Sequence, residues 1–253
     1  TWNVNSIKAR LPNVTGWLKE ASPDVVLLQE TKTLEENFPA MEIEDLGYNL
    51  AIVGQKTYNG VAILSKYPLE NIGYGWLDPH KDDDQARYIQ AWTHGRWVAS
   101  VYVPNGQSSE LSWQAKFTFM EKLSHHIKPW IDNAEPCVLG GDFNITFDDH
   151  DVAEGWTSAA LCSQPERDAL RSLIYQGLVD PFRWDVSENQ SSRRPLTWWD
   201  YRHRSWERKV GLRIDYLLMS ADQADQLQSW GVDDETRAWE KPSDHAPVWG
   251  IFD

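Results

Sequence analysis

The chain has 253 residues, enough to bury a sizeable core as one α/β domain. Mean hydropathy is −0.57 and no apolar run nears the roughly 20 residues of a membrane span, which excludes a spanning helix. No basic-then-apolar leader is visible either. The net charge of −14 repels polyanionic partners as a whole, yet it is uneven. Acid collects in Glu35–Asp45, Asp82–Asp84, Asp148–Asp151 and Asp233–Glu235, whereas Arg193, Arg194, Arg202, Arg204, Arg208, Lys209 and Arg213 face only Asp200 and Glu207.

The first residues, Thr1-Trp2-Asn3, read as part of a strand without a Met, so a few residues are expected to precede them. Ile7, Leu11, Val14 and Leu18 recur at helical spacing, and Pro23-Asp24 then opens the apolar strand Val25–Leu28. Strands follow at Tyr48–Val53 and Gly60–Leu64, joined by the hairpin signal Asn59-Gly60. A second pair lies at Tyr88–Trp92 and Trp97–Val103. Helical spacing returns at Gln114–Ile127 and again near Pro165–Gln176, with the strand Pro136–Leu139 between them. The last strands are Ile214–Leu218 and Ala246–Ile251. No repeat or low-complexity linker divides the chain, so a single domain over residues 1–253 is expected, with sheets packed face to face under helices. Cys137 and Cys162 are the two cysteines, and Cys137 in an apolar run reads as a buried free thiol, consistent with a reducing cytoplasm.

Polar residues gather where these strands end. Glu30 closes an apolar strand, where a carboxylate is costly unless a cation meets it; a divalent metal, Lys32 or plain solvent would each serve. In Gly140-Gly141-Asp142-Phe143-Asn144 the i, i+2 spacing puts Asp142 and Asn144 on one side of an extended segment. A carboxylate there can orient or deprotonate water and an amide can donate to phosphate, or the pair can simply close an Asx turn. Asp244-His245 supplies a group that titrates near neutral pH, with Asp215 the candidate to orient it, or the pair is a structural cap. The six other histidines have no ligand spacing and read as surface residues. Tyr102 ends another strand as a core residue or as a phenol that binds a phosphate oxygen, with Asn105 in the following turn adding an amide donor. Thr197-Trp198-Trp199-Asp200-Tyr201-Arg202 mixes flat aromatic rings with cations, a surface suited to bases, sugars and phosphates.

In order, the words WNVNS, LQETK, GQKTYNGVAILS, YVPNG, GDFN, WWDYR, GLRIDYLL and SDHAPVW cover essentially the whole chain. Together they resemble the exonuclease III family of abasic-site endonucleases, within the endonuclease/exonuclease/phosphatase superfamily. The resemblance implies a DNase I-like four-layer α/β sandwich. It implies a Mg²⁺ cofactor, for which Mn²⁺ would substitute, with Glu30 as main ligand and Asn5 and Asp244 close by. Asp142 then resembles the residue that handles the attacking water. Asn3, Asn144 and His245 resemble the groups on the scissile phosphate, with Asp215 paired to His245 and Tyr102 and Asn105 beside them. Trp198, Trp199 and Leu217 fall where the family holds a base-less sugar, with Arg87 and Arg202 on the substrate side.

The implied activity is DNA repair: hydrolysis 5′ to an abasic site in double-stranded DNA, leaving a 3′-hydroxyl, by a cytoplasmic monomer. Three rival readings stand beside it. One is a mainly 3′→5′ exonuclease or 3′-end cleaner. Another is a phospholipid or inositol-phosphate hydrolase, whose relatives lack a WWDYR-type segment. The third is a non-catalytic DNA-binding module, which would have lost one of Glu30, Asp142, Asp215 or His245; all four are present.

Overall fold

A computed structural model describes residues 1–76, 85–183 and 194–253; the acid run Asp82–Asp84 and the cation Arg193 lie outside the described residues. The strand β2 (Val25–Gln29) explains the layering. Successive strand residues point to opposite faces. Val26 and Leu28 therefore join Trp2, Val14, Trp17 and Leu18 under the helix α1 (Leu11–Ala21), and Ile43 of α2 (Ala40–Glu44). Leu27, between them, meets Val61, Ile63, Ile89 and Val98 in the layer between the sheets. A continuous apolar run is what a strand covered on both faces requires.

The first sheet has the order β1-β2-β4-β3, with β1 (Trp2–Asn3), β3 (Asn49–Val53) and β4 (Val61–Ser65). The second runs β5-β6-β7-β8-β9, with β5 (Glu70–Gly73), β6 (Tyr88–Thr93), β7 (Arg96–Tyr102), β8 (Cys137–Asp142) and β9 (Asp215–Met219). The pairs β1–β2 and β7–β8 are parallel and the others antiparallel. Parallel neighbours need a crossover, and α3 (Glu110–Asp132) supplies it between β7 and β8. With α4 (Gln164–Ile174) it covers the outer face: Phe119, Leu123, Ile127, Leu170 and Leu173 pack with Leu139, Tyr216 and Leu218. The order helix, sheet, sheet, helix is the expected four-layer sandwich. After α5 (Ala221–Asp225), a two-stranded sheet of β10 (Leu227–Val232) and β11 (Val248–Phe252) completes the chain. No helix among the described residues is long and apolar enough to cross a membrane.

Several expectations shift. The Asn59-Gly60 signal does not make a two-residue turn; residues 54–60 form a longer loop, because Gly60 N–H donates to Ala86 and the Asn59 carbonyl accepts from Lys32. The helix expected over Gln114–Ile127 starts at Glu110, where Ser109 and Ser112 cap it reciprocally. The last strand begins at Val248, after Pro247, which has no N–H for a ladder. The short strand β5 and the half-exposed β10, with a glycine in each, carry little apolar alternation to announce them. His126 is no free surface residue: its ring bonds Gln90 at 2.6 Å and packs on Trp76 and Tyr88. Cys137 is a buried free thiol, as expected, and Cys162 is free too.

The larger correction concerns charge. Arg213 is fully buried and pairs with Asp151 at 2.7 Å and Asp180 at 2.8 Å. Arg194 joins Asp151 at 2.9 Å and Asp148 at 2.8 Å. Two of the seven cations in the basic segment thus lie inside, paired with Asp148 and Asp151 of one acid run and with Asp180. Burial alone would raise the Asp151 carboxyl; Arg213 and then Arg194 outweigh it and hold it below its ordinary range. Such a network is expensive to break from one side. We predict that Asp151→Asn lowers stability by about 3 kcal/mol in chemical denaturation at pH 7. A depressed carboxylate pKa contributes stability above the unfolded value and loses it as pH falls through the folded one. The gap between native and variant should therefore hold from pH 6 to 9 and close only in acid, below about pH 4.

Candidate active site

Strand register brings the functional residues together. Tyr102 pairs with Asp142 across β7–β8, and Asp142 with Asp215 across β8–β9, so three site residues stand abreast at one end of the second sheet. Asn3 pairs with Gln29 at the end of the first sheet, which puts Glu30 next to it. Gly141 permits this closeness, since a Cβ there would collide with the Val101 carbonyl. Asn5 (φ 45°), Glu30 (φ 53°) and Asn144 (φ 51°) all take left-handed backbone. Non-glycine residues hold that conformation only where their surroundings fix it, and such strain clusters at functional sites.

Hydrogen bonds fix it here. The Asn3 amide donates to Glu30 Oε1 at 3.0 Å and to Asp142 Oδ2 at 2.9 Å. Tyr102 donates its phenol to Glu30 Oε1 at 2.7 Å. Asn144 donates its backbone N–H to Asp142 Oδ1 at 2.9 Å and its amide to Asp142 Oδ2 at 3.2 Å, while accepting from Asn105 at 2.9 Å. His245 Nδ1 lies 2.8 Å from Asp215 Oδ2, and its Nε2 faces Asp142 Oδ2 at 3.7 Å. Thr197 adds a hydroxyl to Asp215 at 2.6 Å. Asn5 donates to Asp244 at 2.9 Å, and Trp198 Nε1 donates to the other oxygen of Asp244 at 3.0 Å.

Electrostatics assigns roles. Burial pulls the His245 imidazole down, but Asp215 and then Asp142 outweigh it and push it to about 10. The imidazole is therefore a cation at neutral pH and not the free base its ordinary pKa suggests. Burial raises Asp142 to about 7, with Asp215 and Glu30 adding to it against the pull of His245. A carboxylate poised there can take a proton from water. Tyr102 is pushed up by burial and by Glu30, so it stays a phenol and a donor. Burial also works upward on Glu30, but Lys32 outweighs it and keeps that carboxylate ionised.

The oxygen donors suit a hard divalent cation. Lys32 already places its ammonium 2.6 Å from Glu30 Oε2 and 2.5 Å from Asn5 Oδ1, so these oxygens converge on a positive charge. Asp244 is tied to the same Asn5. Asp142, Asp215 and His245 form a second cluster, with ligand atoms within 4.8 Å of one another. Its imidazole is committed to Asp215, whereas the side-chain oxygens of Glu30, Asn5 and Asp244 lie on the other side of Asn3 and could meet a cation.

The outer residues divide. Trp198 reaches the site, its ring 6.4 Å from that of His245. Trp199 does not: it is buried against Trp206 at 4.9 Å. Leu217 is also turned away, into an apolar cluster with Val138, Phe182 and Met219. Arg87 lies over the Tyr102 ring at 4.5 Å and, with Glu30, Lys32, Tyr58 and Asn59, lines a polar cavity of about 380 Å³. Arg202 is exposed but clamped to Asp200 at 2.6 Å. The sequence reading missed Leu212 and Ile214, which form the apolar floor beneath Trp198, and Trp156, which packs on it at 5.7 Å. A period-of-two count back from Asp215 would have flagged Leu212 and Ile214 as flanking Arg213; nothing in the sequence marked Trp156.

We predict that the His245 ring in protein kept metal-free with EDTA stays protonated well above pH 8, with a midpoint near 10 by NMR. In Asp215→Asn that midpoint should fall by at least one unit, because the charge that raises it is gone.

The sequence pattern of the Endonuclease/Exonuclease/phosphatase family matches residues 1–245. Exodeoxyribonuclease III of Haemophilus influenzae is 34% identical, over 100% of this chain and 98% of that protein. The solved 3′-5′ exonuclease of Neisseria meningitidis is 39% identical and superposes with a TM-score of 0.91, over 100% of this chain and 98% of that one. An AP endonuclease from Archaeoglobus fulgidus is 34% identical with a TM-score of 0.89, over 99% and 97%. With the family pattern matched over residues 1–245, close identity along the whole chain and the same fold, the chain belongs to the endonuclease/exonuclease/phosphatase family, on its exonuclease III branch.

Proposed function

We propose that the chain is a Mg²⁺-dependent repair nuclease that hydrolyses the phosphodiester 5′ to a base-less sugar in duplex DNA and leaves a 3′-hydroxyl. Mn²⁺ would substitute for Mg²⁺. The observation that carries this reading is Asp142, buried, held near neutrality and aimed at by Asn3, Asn144 and His245. Asp142 takes the proton of an in-line water. The His245 cation and the Asn144 amide meet charge that builds on the phosphate oxygens, where preorganised donors act most strongly. Glu30, Asn5 and Asp244 would hold Mg²⁺, which supplies Lewis-acid stabilisation of the phosphate and leaving oxygen. Trp198, over Leu212 and Ile214, offers an apolar face to a sugar without its base.

One observation favours a second reading, 3′-end trimming or cleaning. Trp156 lies edge-on against Trp198, and Leu212 and Ile214 beneath are almost fully covered. On this reading Trp156 takes up part of the room beside Trp198 that a sugar flipped from within a duplex would need, whereas a frayed 3′ end needs less. The similar Neisseria protein is described both as a 3′-5′ exonuclease and, in a complex with a product DNA hairpin, as a 3′ phosphatase.

Two labelled duplexes decide between these, one with an internal abasic analogue and one undamaged with a recessed 3′ end. Incision 5′ to the lesion, lost in EDTA, is the expected result; Asp142→Asn should lower it by about 10³-fold with DNA binding kept. A ladder from the undamaged end with the lesion untouched would make the enzyme an exonuclease. In that event Trp156→Ala should open the abasic duplex to cleavage.

A further inference from the structure

Behind the Asp142–Asn144 loop, away from the cation site, lies a charged pair with no surface at all. Lys116 of α3 and Glu166 of α4 are both 0% exposed, with Nζ to Oε1 at 2.5 Å. The same ammonium donates to the backbone carbonyl of Asn144 at 2.9 Å. Its stem packs against the Asn105-Gly106 turn, where a Cβ on Gly106 would meet Lys116 Cε at 3.2 Å. Glu166 in turn accepts from Ser163 N–H at 3.0 Å and Ser163 Oγ at 2.7 Å, which caps α4, and from Gln107 at 3.4 Å. Four segments are thus fastened at one buried point: α3, the Asn105 turn, the Asn144 loop and the start of α4.

Stability alone is a poor reason for such a pair. Taking two charges out of water is costly, and well-packed apolar residues in the same volume are often as stable or more so. An apolar pair could not donate to the Asn144 carbonyl, however. Asn144 needs that hold, because it sits in left-handed backbone and its own N–H and amide fix both oxygens of Asp142. We infer that Lys116 is a positioning residue for hydrolysis: with Glu166 as its counter-ion, it pins the Asn144 carbonyl and so sets Asp142 and Asn144 against the scissile phosphate. It touches no substrate. Glu166 couples this hold to α4, whose start follows the segment carrying Trp156.

The inference rests on the hydrolase reading but is read differently from it. Which duplex is cut tests the function; the ratio of variant to native rates, on whichever duplex the native enzyme cuts, tests Lys116. Removing Lys116 alone would strand Glu166 in the interior, so the double variant Lys116→Met/Glu166→Gln is the informative one. It removes both charges and keeps an oxygen for the α4 cap. Thermal unfolding within a few degrees of native, kcat down by ten- to a hundredfold and KM for DNA within twofold are expected. Glu166→Gln alone leaves Lys116 without its counter-ion and should be the less stable variant, yet it keeps the Lys116–Asn144 bond, so where folded it should lower kcat by less than fivefold. A folded double variant with kcat within twofold of native would make the pair purely structural and overturn the inference. So would a rise in KM at unchanged kcat, or a loss in Glu166→Gln alone as large as in the double variant.

Discussion

One side-chain amide joins the two sheets where chemistry has to happen. Asn3 ends a strand of the first sheet and donates one hydrogen bond to Glu30, its neighbour there, and one to Asp142 at the end of the second. Glu30 and Asp142 are thereby fixed at one spacing. A buried Asp142 and a half-buried Glu30 held to one amide repel, and the repulsion has to be met by donors and cations. Asn3, Tyr102, Lys32 and His245 meet it from four different strands or loops. Those cross-connections are also why the left-handed backbone at Asn5, Glu30 and Asn144 is maintained.

Charge organises the rest of the molecule in two concealed layers. Arg194 and Arg213 pair with Asp151 and Asp180, both buried, and with the half-buried Asp148, while Lys116 pairs with Glu166. Among the described residues of the basic segment, the exposed cations left for an anionic polymer are Arg202, Arg204, Arg208 and Lys209, with Arg202 itself held by Asp200. Against a net charge of −14, docking has to rely on shape and on the local field of the site. Few neutralised phosphates mean a shallow dependence of affinity on salt.

Much of this was legible in the sequence. The alternation of apolar strands with helical spacing gave both sheets and their covers, because a strand buried on two faces and a helix buried on one leave different periods. Motifs at strand ends marked Asn3, Glu30, Asp142, Asn144, Asp215 and His245, since polar residues directly after apolar runs are rare without a purpose. Partnership was not legible. Arg194 and Arg213 counted as surface because a sequence carries no sign of which acids fold onto them. Leu217 and Trp199 were assigned to a sugar pocket by position, whereas the register of β9 and the packing of Trp206 turn both inward. Trp156 needed the tertiary structure, because no periodicity governs the loop it sits on.

The most direct test of this account is Asn3→Ala, read by single-turnover hydrolysis at saturating Mg²⁺ beside equilibrium binding of the same duplex. If the bridging amide sets the two carboxylates, hydrolysis falls at least a hundredfold and binding stays within a fewfold of native. A variant that hydrolyses within threefold of native would contradict it, since the sheets alone would then suffice to hold Glu30 and Asp142 in place.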